Sequence, residues 1–265
     1  MFKHLLIAHD LRDTADLALA RAAQLARQHQ ARLTVLHVQS PGQTQAQREQ
    51  AERTLDQSLS RLAPAGTQLQ VQTGKAWELI LAEVQNSACD LLVLGGHQQR
   101  HELFSDTSLD RIARRCSVPL LLVAHTQVQP YQRALAAIDF SLCACSALNY
   151  GYRLLPSAAS LHALHVFEAD KGTPAEVQAQ LQTQQALIDQ LLHDEALQLP
   201  PDGARLSHEV IQGGILRALQ EQVKKRRTEL LVLGSHGRGA FSQALLGSLA
   251  QHFLHKAPCD VLVVR

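Results

Sequence analysis

The chain lacks any excess of charge: its 265 residues carry 25 lysines and arginines against 24 aspartates and glutamates. That balance supplies no basic field for a nucleic acid or an anionic membrane surface. Long apolar runs are missing too, and none approaches the roughly 20 residues that cross a bilayer. The opening Met1–Asp10 has neither a long apolar core nor a small-residue cleavage site, so it reads as a first strand rather than a signal peptide. The five cysteines are odd in number and irregular in spacing, which argues against a disulfide framework. A cytoplasmic protein is the expectation. Also absent are a Gly-Lys-Ser/Thr phosphate loop and a general base beside the glycine-rich turn described below, so no dedicated catalytic set is expected.

What is present is a repeat. Leu91-Leu-Val-Leu-Gly95 recurs as Leu230-Leu-Val-Leu-Gly234, and Leu33–Val38 recurs as Leu161–Val166. Leu6-Ile-Ala-His-Asp10 recurs as Ala136-Ala-Ile-Asp139 if one extra residue is allowed, and Pro119–Val123 recurs as Asp260–Val264. The order is the same in both halves, which predicts two homologous domains, 1–127 and 131–265, joined near Pro130. Short apolar runs alternate with helical patterns. Strands are expected near 3–9, 33–38, 68–73, 90–95 and 119–124, then near 132–138, 160–166, 205–211, 229–234 and 259–264. Helices are expected near 14–29, 45–63, 76–87 and 106–116, then near 142–154, 174–198, 215–227 and 242–256. The strands read as apolar throughout, as parallel strands covered on both faces do. The fold class is therefore α/β: two tandem Rossmann-like or flavodoxin-like open parallel sheets of five strands, order 3-2-1-4-5. The short apolar last strands, Leu120–Val123 and Val261–Val264, are expected to pair the halves about a pseudo-twofold axis within one chain. A homodimer could use the same strands.

The second half carries the most informative stretch, Gly234-Ser-His-Gly237, then nine residues, then Gly247-Ser248. Placed after a parallel strand, it is a strand-to-helix turn that offers backbone N–H groups to an anion. Gly234, Gly237, Gly247 and Ser248 would hold phosphates, with Arg238 as a charge partner and the Ser248 hydroxyl beside Mg²⁺. Asp139 ends the first strand of this half and could accept from a ribose hydroxyl or an adenine amine, and the chain at Val166 could meet the base. His236 either touches phosphate or hydrogen-bonds within the loop.

These residues resemble the universal stress protein family, twice over nearly the whole chain. The resemblance rests on Asp139, the Leu-His-Val166 strand, the Gly-Ser-His-Gly loop with its following Gly-Ser, and Ala257–Val264. It implies ATP or ADP as ligand, probed by Ala137, Ile138, Asp139, Val166, Leu233, Gly234, His236, Gly237, Gly247, Ser248 and Leu249, and a tandem, E-type member. A nucleotide-dependent stress regulator is the leading reading. A slow ATPase, or a metal- or small-ligand-binding module in the first half, are the alternatives.

In the first half Gln98 stands at the position of Gly237, and Asp106-Thr107 replaces Gly247-Ser248 after a loop two residues shorter. An aspartate there repels phosphate and caps the helix itself, so no ATP binding is expected. His9, Asp10, His37, His97 and His101 map to strand ends and could hold Zn²⁺, or could be loop histidines. Cys143 and Cys145 begin a helix, where a thiol pKa is lowered, or they are small hydrophobes packed on it. Trp77 could line a pocket mouth or cover the sheet.

Overall fold

A computed structural model describes residues 2–96, 108–168, 173–237 and 246–265. By contact the chain divides into two compact units. The first holds the described residues up to Pro130, with Leu246 and Gln251–Val261. The second holds those from Tyr131, with Gly247–Ala250 and Leu262–Arg265.

In chain order the elements up to Pro130 are β1 (His4–Ala8), α1 (Asp13–His29), β2 (Arg32–Gln39), α2 (Gln45–Leu62), β3 (Gln68–Thr73), α3 (Ala76–Asn86), β4 (Leu91–Gly95), α4 (Ser108–Arg115) and β5 (Leu120–Val123). They repeat as β6 (Arg133–Ile138), α5 (Leu142–Leu154), β7 (Ser160–Phe167), α6 (Pro174–Ala196), β8 (Arg205–Gln212), α7 (Ile215–Arg226), β9 (Leu230–Gly234), α8 (Ser248–His255) and β10 (Asp260–Val264). The strand order is β3-β2-β1-β4-β5 in the first half and β8-β7-β6-β9-β10 in the second. Both are the expected 3-2-1-4-5 order. The pairs β1–β2, β1–β4, β4–β5, β6–β7, β6–β9 and β7–β8 are parallel.

Local chemistry sets the boundaries. Thr44 caps α2 and Thr173 caps α6, each through a reciprocal capping box, with Gln47 and Glu176 respectively. Left-handed residues at Gln30 and Arg227 end α1 and α7. The strands are not uniformly apolar. β1, β4 and β9 are buried nearly throughout, but β3 (QLQVQT) and β8 (RLSHEVIQ) alternate and are largely half-buried or exposed. Both lie at the outer end of their strand order, where one face is only partly covered.

Sheet register removes the extra residue assumed between the repeats. Leu5 pairs with Leu91 and Ala134 pairs with Leu230, the first residues of the two Leu-Leu-Val-Leu-Gly strands. Counting forward without a gap, His9 matches Ile138 and Asp10 matches Asp139. The residue after each aspartate is left-handed, Leu11 at φ 68° and Phe140 at φ 63°. Bulky side chains adopt that region at a cost of order 1–3 kcal/mol, which the surrounding structure must offset.

One ionic contact is buried within the first unit. Arg21 (1% exposed) meets Asp260 (0%) at 3.2 Å. The guanidinium also donates to Gln24 and to the Gln127 and Gln129 carbonyls, while Asp260 accepts from the Ala124 and His125 amides.

Candidate functional site

At the carboxyl ends of β6 and β9 a cavity of about 190 Å³ opens in the second unit. Such ends are where open parallel sheets bind ligands. Ala137, Ile138 and Asp139 reach it from β6 and the turn after it; Leu233, Gly234, His236 and Gly237 come from β9 and its loop; Gly247, Ser248 and Leu249 come from the start of α8. Of the residues singled out in sequence, Val166 does not line this cavity, and Arg238 lies outside the described residues.

Each glycine meets a close approach, and none of the three has a left-handed φ. A Cβ on Gly234 would stand 2.9 Å from the Cys143 carbonyl carbon, so this glycine lets the start of α5 pack on the strand end. A Cβ on Gly237 would stand 2.7 Å from Asp139 Oδ2, and one on Gly247 would stand 3.0 Å from the Ser235 carbonyl oxygen. The first glycine therefore serves helix packing, and the second draws the turn onto the carboxylate.

Asp139 is fixed by its own turn. Its Oδ1 accepts from the Ser141 amide at 3.1 Å and the Ser141 hydroxyl at 2.5 Å. Ser141 in turn caps α5 by accepting from the Ala144 amide. Ser235, which the sequence reading passed over inside its own motif, is buried. Its amide donates to the Val264 carbonyl, and its hydroxyl bonds His236 Nδ1 at 2.6 Å. The Gly247 amide donates to the Ser235 carbonyl at 2.7 Å. The amides available to an anion at α8 are thus those of its first turn, from Ser248 on, because the first N–H groups of a helix have no partner within it. Ile215, at the start of α7, adds an apolar wall and is 37% exposed. It was missed because it lies far from the turn in sequence.

His165 shows what the second-strand histidine does: its Nδ1–H donates to the Ile138 carbonyl at 2.7 Å. His37 does the same to the His9 carbonyl at 2.8 Å. His9 accepts from the Leu11 amide at Nδ1 and places Nε2 3.0 Å from Asp16; burial lowers its pKa, leaving the ring neutral. Both histidines thus hold strand ends together. His97 and His101 lie outside the described residues, and among the described residues no group of three or more metal-ligating side chains is gathered. Burial and the nearby Glu195 push the Cys145 thiol up to about 11, opposite to the lowered value considered for a helix start. Trp77 is half-buried between α3 and α4, with the guanidinium carbons of Arg111 and Arg115 at 5.5 and 5.0 Å from its ring centre.

The first half keeps part of this geometry. The Gly96 amide donates to the Val123 carbonyl as the Ser235 amide does to Val264. Asp106 and Thr107, which stand in sequence at the positions of Gly247 and Ser248, lie outside the described residues.

A family model described as the universal stress protein family matches residues 1–124 and again 130–265. The chain belongs to the universal stress protein family. Among curated relatives, a universal stress protein E homolog of Haemophilus influenzae is 23% identical over 76% of this chain and 72% of that protein. A universal stress protein A homolog of Coxiella burnetii is 44% identical over 22% of this chain, and the match spans 40% of that protein. A universal stress protein structure from Archaeoglobus fulgidus superposes with a TM-score of 0.72 at 19% identity, covering 99% of this chain and 98% of that one. A putative universal stress protein from Pseudomonas aeruginosa gives 0.70 at 18%, covering 99% and 93%. These likenesses establish a common fold over two tandem domains. No helix among the described residues is long and apolar enough to cross a membrane.

Proposed function

We propose that this universal stress protein binds ATP or ADP in the cavity of its second unit and acts in the stress response as a nucleotide-dependent regulator. One observation carries the reading: the Asp139 carboxylate, the Gly234–Gly237 turn and the start of α8 line a single cavity at the carboxyl ends of parallel strands. The donor set fits an adenine nucleotide. Apolar side chains of Ala137, Leu233 and Ile215 suit a ring, the carboxylate suits a hydroxyl or amine, and first-turn amides suit phosphates. With Mg²⁺ bound, the Ser248 hydroxyl would join its shell, and the metal would offset phosphate charge in a turn whose sequence has no lysine. Arg238 is assigned a phosphate contact on sequence alone. His236, held by Ser235, orders the loop. The site serves binding rather than turnover; sustained ADP release abolished by Asp139→Ala would replace this reading with a slow ATPase.

Titration of the intact protein with ATP and Mg²⁺ in a calorimeter tests the assignment, and absence of heat refutes it. Membership of the family supports a cytoplasmic place of action, which fractionation of cells would check. The domain boundaries proposed are 1–127 and 131–265, with the halves pairing through their last strands. The apolar sequences of β5 and β10 support that pairing, and separately expressed halves that stay soluble and monomeric would contradict it.

A further inference from the structure

We infer that the amino edge of the second unit's strands is a docking surface for a linear chain of phosphates, with inorganic polyphosphate as its occupant. The surface lies wholly within the second unit, at the opposite end of the strands from the cavity, and does not rest on the nucleotide reading.

Strand register gathers its cations. Arg133 pairs with Ser160, and Ser160 with Arg205, so these three form one row across the first residues of β6, β7 and β8. Their side chains share the face of Leu135, His162 and Ser207, because register partners and residues two apart point the same way. α7 covers that face: Arg226 reaches Glu209 at 2.7 Å, and the Arg133 Nε–H donates to the Arg227 carbonyl at 2.9 Å. The end of α7 therefore lies over the row and adds Lys224, Lys225 and Arg227 to it. α6, which ends at the exposed Leu197, lies on the other face, where its Asp189 meets His208.

The charge there is in surplus. Arg205, Lys224, Lys225 and Arg227 are exposed, and among the described residues none of their side chains has a hydrogen-bond or ion-pair partner. Glu229 is tied to Arg133 and Glu221 to Arg217, while Asp202, in the turn before β8, offsets part of the excess. A helix end carries about half an elementary negative charge, so one cation satisfies it and the others repel one another without benefit to the fold. The matching helix of the first half, α3, has no basic residue in its last turn. The even balance of charge over the whole chain conceals this local field.

The side chains select the occupant. None of the exposed large apolar residues of the described chain lies in the row or at the end of α7, so a protein partner would find no anchor to bury. No aromatic ring stands among Arg133, Ser160, Arg205, Lys224, Lys225 and Arg227 on which a base could stack. Neighbouring lysines flanked by guanidiniums complement closely spaced phosphoryl oxygens, which arginine forks bind in bidentate fashion.

Titration of fluorescently labelled inorganic polyphosphate with the full chain, read by anisotropy, tests the surface. The forms compared are wild type, Lys224→Gln with Lys225→Gln, Arg205→Gln, Gly237→Val, and a control, Arg53→Gln with Lys75→Gln, which removes two exposed cations from the first unit. Each cation facing an anionic surface contributes roughly fivefold, so the lysine pair should weaken binding roughly 25-fold and Arg205→Gln roughly fivefold. The control and Gly237→Val should stay within about twofold of wild type. The slope of log affinity against log salt should be about −3 in wild type and about half that in the lysine variant, at about 0.7 per phosphate neutralised. No binding by wild type at low salt, or equal weakening in the control, overturns the proposal. A loss confined to Gly237→Val also overturns it, because the polymer would then occupy the nucleotide cavity. So does tighter binding of poly-glutamate, single-stranded RNA or phosphatidylglycerol vesicles than of polyphosphate.

Discussion

Replacing Gly237 by alanine adds one methyl group where the turn meets the carboxylate. Its Cβ would lie 2.7 Å from Asp139 Oδ2, closer than carbon and oxygen pack. Relief can come in two ways. Asp139 can swing, giving up the bonds to the Ser141 amide and hydroxyl, or residues 235–237 can move away from the cavity. The first route, where the swing also breaks a bond at Oδ1, loses about 1.5–3 kcal/mol. The second separates the loop from the carboxylate and opens the cradle. Both routes disturb the site more than the core, because neither Gly237 nor Asp139 is buried. If the lost bond is felt in the bound state, the dissociation constant for Mg-ATP should rise roughly 10- to 150-fold, at about 1.4 kcal/mol per decade. Calorimetric titration measures that change, and a thermal melt reports separately on the fold. An affinity for Mg-ATP within twofold of wild type would refute the argument that Gly237 positions Asp139.

Three further perturbations probe the rest of the structure. Arg21→Ala should cost about 3–5 kcal/mol in chemical denaturation, because it leaves the fully buried Asp260 carboxylate without its cation; a loss under about 1 kcal/mol would show the amides of Ala124 and His125 suffice. Burial, then Arg226, lowers the His162 pKa to about 4, so folding favours the neutral ring. That contribution is present above the unfolded value near 6.5 and is lost as pH falls towards about 4, up to about 3 kcal/mol. Wild type should therefore lose more stability than His162→Gln between pH 7 and pH 4, and parallel losses would contradict the assignment. Cys145, whose thiol burial pushes up to about 11, should resist alkylation at pH 7.4 as read by mass spectrometry, and rapid labelling would reverse that reading.

The strands and helices were legible because their periodicity follows from burial: Leu-Leu-Val-Leu-Gly is a covered parallel strand in either half. β3 and β8 departed from the apolar pattern because outer strands keep a solvated face. The cavity's residues were legible where they cluster in sequence, as in Gly234–Gly237. Ile215 and Ala144 were not, since only the fold brings them to the turn. The purpose of each glycine was hidden for a related reason: Gly234 answers to the backbone of Cys143 and Gly237 to the side chain of Asp139, both about a hundred residues earlier in the chain. The match of Asp10 with Asp139 was obscured because letter similarity alone invited a gap that strand register forbids. His37 drew attention as a ligand because a histidine at a strand end looks functional. Its bond to the His9 carbonyl, repeated by His165, gives it a structural task instead.

The stoichiometry of Mg-ATP on the intact chain tests the central claim most directly. One nucleotide per chain, lost on Asp139→Ala, is the expected result, since the second unit brings a glycine-lined turn onto its aspartate while the first half's sequence has Gln98 and Asp106 where Gly237 and Gly247 stand. No binding, or two nucleotides per chain, would contradict it.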